Sequence, residues 1–207
     1  MTRPRTRARI ARAAAFVVLV AVVAALAVAP EKYPWTINLT GSLPGLLYAL
    51  GPIDRPIARG DTILVCAPAS VAALGAQRGY LPAGPCPGQT APLLKLVAAV
   101  GGDFVDLRAR SIEVNGRCLG HSVTFDHDHL GRKLPQIARG RYRLGAGQLW
   151  LWTPAERSFD SRYFGPVRAS DVTYFASPIA VEQPAVLMLA NGPCQAVVPA
   201  SASGTAR

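Results

Sequence analysis

The chain has 207 residues, half of them apolar, only 7% aromatic and 16% charged, which is room for one domain of ordinary size and an anchor but not for two domains. Eighteen prolines and nineteen glycines argue against long helices and for short strands joined by many turns. The net charge of +10 invites a nucleic-acid reading, but Arg3, Arg5, Arg7, Arg9 and Arg12 supply half of it, and no recognition motif accompanies the rest, so no nucleic-acid partner is expected.

In chain order, residues 1–12 read as a basic arm without an acid, followed by an uninterrupted apolar run from Ala13 to Ala29. As a helix that run is roughly 26 Å long at about 1.5 Å per residue, close to the hydrocarbon thickness of a bilayer. Segment 13–30 is therefore expected to be a transmembrane anchor or uncleaved signal. The arm then stays cytoplasmic, the chain from residue 31 crosses the membrane, and Tyr33 and Trp35 fall at the interface. Ala27-Val28-Ala29 also has the small-x-small pattern of a signal cleavage site. A retained anchor is preferred because Ser42, a candidate nucleophile, lies only about a dozen residues beyond the run.

Residues 31–180 read as one body and 181–207 as a tail. Strands are predicted at Thr62–Cys66, Leu93–Val100, Phe104–Leu107, Ser111–Val114, Leu149–Trp152 and Val172–Phe175, with a short helix around Ser70 to Gln77. Asn115-Gly116 predicts a hairpin turn. The fold class is mainly β, a coiled sheet of short strands. Four cysteines in an exported body allow three disulfide connectivities. Cys66–Cys86 is expected to close the Gly/Pro-rich excursion between them, leaving Cys118 with Cys194. No CxxC pair exists and the spacings suit neither a zinc finger nor a ribbon, so no metal is expected.

Two features carry chemistry. One is the Ser42-Leu43-Pro44 turn just past the apolar run, and the other is Lys95 within the most apolar strand of the body. A serine hydroxyl needs a base within hydrogen-bond reach. His121, His127 and His129 cluster in one polar stretch that reads as a solvated loop, not as part of a triad. A lysine serves as base if burial lowers its pKa, because desolvation penalises the charged form. Alternation puts Lys95 and Val97 on one face of the strand. The competing reading is an edge-strand lysine that blocks strand pairing, and the residues alone leave both open.

Three motifs in order favour the first reading. Asn38 to Tyr48 (NLTGSLPGLLY), Lys95 to Asp103 (KLVAAVGGD) and Ser158 to Val167 (SFDSRYFGPV) resemble the nucleophile, lysine and third boxes of the type I signal peptidases. The first box is similar to the conjugal-transfer (TraF-type) branch, where leucine follows the serine. Arg59-Gly60-Asp61, Val114-Asn115-Gly116 and Gly131 to Pro135 also fall in family order. The resemblance covers about residues 31–180. Leu96 stands where the family usually has arginine, and Gly101 where it has proline; neither touches reacting atoms.

The resemblance implies a signal-peptidase-like catalytic domain behind a single N-terminal transmembrane helix, with Ser42 as nucleophile and Lys95 as general base. Thr40 would help the Ser42 N–H form an oxyanion hole, Ser158 would orient the lysine amine, and Asp160 with Arg162 would be a supporting ion pair. No cofactor is implied. The implied partner is a pilin-like precursor of a conjugative type IV secretion system with small residues near the cleavage site. It would be cut, or cut and cyclised, on the periplasmic side of the bacterial inner membrane. Two alternatives stand beside this: a general type I signal peptidase, and a non-catalytic envelope scaffold for pilus assembly. The tail with Cys194 extends past the family's usual end.

Overall fold

A computed structural model describes residues 12–21, 34–180 and 194. Twelve short strands follow in order: β1 Trp35–Ile37, β2 Leu47–Gly51, β3 Thr62–Val65, β4 Ala83–Cys86, β5 Leu93–Val100, β6 Phe104–Leu107, β7 Ile112–Val114, β8 Arg117–Leu119, β9 Gly140–Arg143, β10 Gln148–Trp152, β11 Val167–Arg168 and β12 Val172–Pro178. Eleven of them build two antiparallel sheets, one of seven strands in the order β1-β2-β12-β3-β5-β10-β11 and one of four in the order β8-β7-β6-β9. The expected mainly-β class is thus observed.

The position of β5 organises the body. Its run of apolar residues is buried on both faces, as a central strand requires. Leu94, Leu96 and Ala98 enter a core shared with Val105, Leu107, Ile112 and Val114 of the second sheet, where Trp150 and Trp152 supply the bulk. Leu93 and Val97 enter the core on the other face, with Ile63, Val65, Leu149, Leu151 and residues Val71 and Ala72 of a helix. Each large side chain so buried contributes roughly 1.5–3 kcal/mol. β5 lies between β3 and β10, so the edge-strand reading of Lys95 is overturned.

The helix, Ala69–Arg78, lies inside the Cys66–Cys86 excursion, as expected. It starts after Pro68, which fixes φ without needing a donor, and ends at Gly79 in the left-handed region. Asn115 and Gly116 both have positive φ and make the two-residue turn between β7 and β8. Cys118 pairs with Cys194, the one described residue of the tail. His121, His127 and His129 are exposed in the long connection before β9.

Some boundaries differ. Strand β3 stops at Val65 because the Cys66 N–H donates to Asp171 instead of to the ladder. Ser111 is drawn into a turn by the Arg108 N–H. β12 runs on to Pro178 because its second half pairs with β2, a strand the hydrophobic pattern does not announce. Residues 12–21 are helical and exposed, and among the described residues no helix is long and apolar enough to cross a membrane. The rest of the expected span 13–30, with the arm 1–11 and the tail apart from Cys194, lies outside the described residues.

Within the disulfide excursion the backbone doubles back tightly. A Cβ on Gly84 would sit 2.4 Å from the Ala91 Cα, a contact no side-chain movement relieves. Gly84→Ala is expected to destabilise by about 1–3 kcal/mol in urea unfolding, whereas Gly51→Ala, where an added methyl meets nothing, stays within about 0.5 kcal/mol.

Candidate active site

Ser42 sits on the connection between β1 and β2, where Gly41 (φ 60°) and Gly45 (φ 88°) adopt left-handed backbone on either side of Ser42-Leu43-Pro44. The turn is held from both ends. Leu43 is buried in the inter-sheet core, and the Tyr48 hydroxyl donates to the Pro44 carbonyl. From the other end the Asn38 amide donates to the carbonyls of Leu43 (2.7 Å) and Gly45 (3.1 Å). Its amide nitrogen so used, Asn38 presents its oxygen to the Thr40 hydroxyl at 3.2 Å. Thr40 has one proton, and the asparagine oxygen only accepts. The remaining contact, Thr40 Oγ1 to Ser42 Oγ at 2.9 Å, therefore takes the Ser42 proton. Neither Asn38 nor Tyr48 was assigned a role from sequence. The available signal is a short amide shortly before Gly41 and Gly45, which is turn chemistry.

Lys95 stands opposite Ile63 in the β3–β5 ladder, on the face that also carries Leu93 and Val97. It is 4% exposed, and its amine donates to Ser158 Oγ at 2.7 Å. Burial lowers its pKa from 10.5 to about 8; the Asp160 carboxylate acts against this and the Arg162 guanidinium with it. An unpaired carboxylate there would restore the ammonium, and the geometry prevents that. Asp160 and Arg162 are both wholly buried and form a two-pronged ion pair at 2.8 Å on each prong. Burial works against the charge on Arg162, but Asp160 more than compensates and raises its pKa.

The third motif folds around this pair. Asp160 caps the short helix Ser161–Phe164 by accepting from the Arg162 N–H, and Ser161 Oγ accepts from the Leu151 N–H of β10. Arg162 spends its other donors on the carbonyls of Ala155 (2.9 Å), Glu156 (3.1 Å), His121 (3.1 Å) and Val123 (3.3 Å). One guanidinium thus gathers the segment before Ser158 and the start of the histidine-bearing loop.

Thr40, Ser42, Lys95 and Ser158 all line one groove of about 550 Å³. Asp160 and Arg162 stand behind Ser158 and do not line it. Ser42 and Lys95 share the groove without a hydrogen bond to each other: the serine is engaged by Thr40, the lysine by Ser158. One wall comes from Ile37 and Leu39, another from Leu93 and from Leu81, Pro82 and Ala83 inside the disulfide excursion. The Gly-Asp that ends the lysine motif is architectural. Asp103 accepts from the Val100 N–H (2.9 Å) and from the Asn115 amide (2.8 Å), pinning the β7–β8 turn to the end of β5. Among the described residues no group of three or more histidine, cysteine or carboxylate side chains is arranged to hold a metal.

Residues 7–178 match the family described as signal peptidase, peptidase S26. A probable conjugal transfer protein TraF of Sinorhizobium fredii is 38% identical over 72% of this chain and 79% of its own length. A plasmid transfer protein TraF of Escherichia coli is 34% identical over 69% and 81%. Among solved structures, a signal peptidase I of Enterococcus faecalis aligns with 58% of this chain and 97% of its own, at 17% identity and a TM-score of 0.35. By the extent of the family match and the identity to its relatives, the chain belongs to the signal peptidase family, peptidase S26, in its TraF-type branch.

Proposed function

We propose that the protein is a membrane-anchored serine endopeptidase in which Ser42 is the nucleophile and Lys95 the general base. Its substrate on this reading is a pilin-like precursor of a conjugative type IV secretion system. The precursor is cleaved beside small residues on the periplasmic side of the bacterial inner membrane, with segment 13–30 as the anchor. The observation that carries the reading is a buried lysine with no carboxylate partner of its own among the described residues, lining the same groove as a serine held on a glycine-bounded turn. Nothing in a scaffold role calls for that ammonium to be desolvated, which would be a defect elsewhere in a core. The relatives are named for conjugal and plasmid transfer, which favours a dedicated precursor over general export.

The chemistry follows from the resting hydrogen bonds. When an extended precursor lies along the groove, the Ser42 hydroxyl leaves Thr40 for the neutral Lys95 amine. Its oxygen then bonds to the scissile carbonyl carbon as its proton passes to Nζ. Among the described residues the Ser42 backbone N–H has no acceptor, so it is available to the developing oxyanion, and Thr40 joins as a second donor once its hydroxyl proton turns from the Asn38 oxygen. Such a donor is typically worth about 10²–10³ in rate. Collapse breaks the C–N bond, and Lys95 returns the proton to the departing amine. The ester on Ser42 is then opened by water, or by the precursor's own amino terminus, which closes a ring.

Ser42→Ala and Lys95→Ala are each expected to abolish processing of a co-expressed precursor, read by mass spectrometry, while both disulfides form normally; activity retained by well-folded Lys95→Ala would reject the proposal. Because the neutral amine is the active form, kcat/KM should rise with pH through a single ionisation near 8 and fall about tenfold for each pH unit below it. The same ionisation affects stability. Below about 8 the folded and unfolded chains both hold the proton, and the fold bears the full cost of a buried ammonium. Between about 8 and 10.5 the unfolded chain holds more proton than the folded one, so stability rises with pH across that window. Lys95→Met should flatten this rise and stabilise the protein at pH 7 by about 1–3 kcal/mol in urea titrations.

A further inference from the structure

Beside the groove lies a smaller cavity of about 90 Å³ that the proposed chemistry does not use. Tyr80, Arg157 and Phe159 line both spaces, so pocket and groove adjoin at a boundary that includes the two residues flanking Ser158 in the chain. Beyond that boundary the pocket is walled by Phe125 and Tyr163. The Phe159 ring meets Tyr80 at 5.1 Å, tilted by 55°, and Tyr163 at 6.2 Å, nearly parallel. The Arg157 guanidinium stacks over Phe125 at 4.9 Å.

The polar groups around these rings are already committed. Tyr80 donates its hydroxyl to Asp128, whose charge is met by Arg132 at 2.6 Å; these bonds, with backbone N–H groups of Leu130 and Arg132, hold the Asp128 carboxyl well below its ordinary range against the effect of burial. The Tyr163 hydroxyl accepts from the Phe125 N–H. What is left to face an occupant is ring surface, the Leu134 side chain, the imidazoles of His127 and His129 and one planar cation, and among the described residues Arg157 has no carboxylate partner. Rings prefer tilted or offset ring neighbours, and a guanidinium face attracts a ring face. A carboxylate would gain little, because Arg157 is exposed and an exposed ion pair is worth little. The volume suits one side chain and not a second length of polypeptide.

We propose that this pocket is a further specificity site, which takes one aromatic side chain of the precursor outside the small residues that flank the cleaved bond. The inference rests on the peptidase reading and adds a second, bulky requirement to the substrate.

The test uses the full-length protein in detergent and a peptide series with alanine at −3 and −1, in which Phe, Leu, Asp or Gly is walked through the other positions on both sides of the cleaved bond. One position is expected at which Phe exceeds Gly in kcat/KM by about tenfold. Phe125→Ala should remove that preference while leaving the glycine peptide within about twofold of wild type. Arg157→Gln, which keeps the rings, should reduce it in part. A flat profile, a preference for Asp or Leu, or a Phe preference unchanged in both variants overturns the pocket assignment while Ser42-dependent cleavage still stands. Cleavage that does not depend on Ser42 overturns the peptidase reading and the pocket with it.

Discussion

The ion pair between Asp160 and Arg162 is the constraint on which the site depends. Both groups are sealed from water, so each is tolerable only because the other is present and every remaining donor finds an acceptor. The guanidinium answers carbonyls from two stretches of loop, and in doing so sets the path of the chain through Ser158. Ser158 in turn receives the lysine amine. An apolar replacement of the pair would fill the volume but leave those carbonyls unanswered, and Ser158 would lose its fixed place.

Electrostatically the pair is a dipole next to Lys95, and its two charges act on the amine in opposite directions, which leaves burial in control. Leu93 and Val97 on the lysine's own face and a central position in the sheet supply that burial. A lone carboxylate would have stabilised the ammonium. The serine side of the groove follows a similar logic, with Asn38 fixing which way each hydroxyl proton points before substrate arrives. Preorganisation comes from Asn38 within the groove on the serine side, and from Asp160 and Arg162 behind its wall on the lysine side.

Much of this was legible in the chain. The eight-residue apolar run at 93–100 announced a strand, Asn115-Gly116 a hairpin, and the Gly/Pro-rich excursion between Cys66 and Cys86 its own closure; each is a local signal that tertiary packing had no reason to override. Three motifs pointed to Ser42, Lys95, Ser158, Asp160 and Arg162, and the fold brings these segments together. The edge-or-centre question for Lys95 was not legible, because strand order depends on pairings among residues far apart in sequence. β1, β2, β4, β9 and β11 were missed for a related reason: they are two to five residues long with mixed exposure, and exist because a neighbour offers backbone partners. The reach of Arg162 was equally hidden, since its partners are backbone carbonyls, which carry no sequence signature.

The Cys66–Cys86 bond has a consequence for timing. Leu81, Pro82 and Ala83, which form one wall of the groove, lie inside the loop it closes. By chain entropy, cross-linking a loop of that size is worth about 3 kcal/mol. Reducing surroundings leaves this wall without its staple, and an oxidising compartment supplies it. The shape of the cleft is thereby coupled to where the polypeptide finishes folding, so thiol chemistry acts as a record of compartment written into the binding surface.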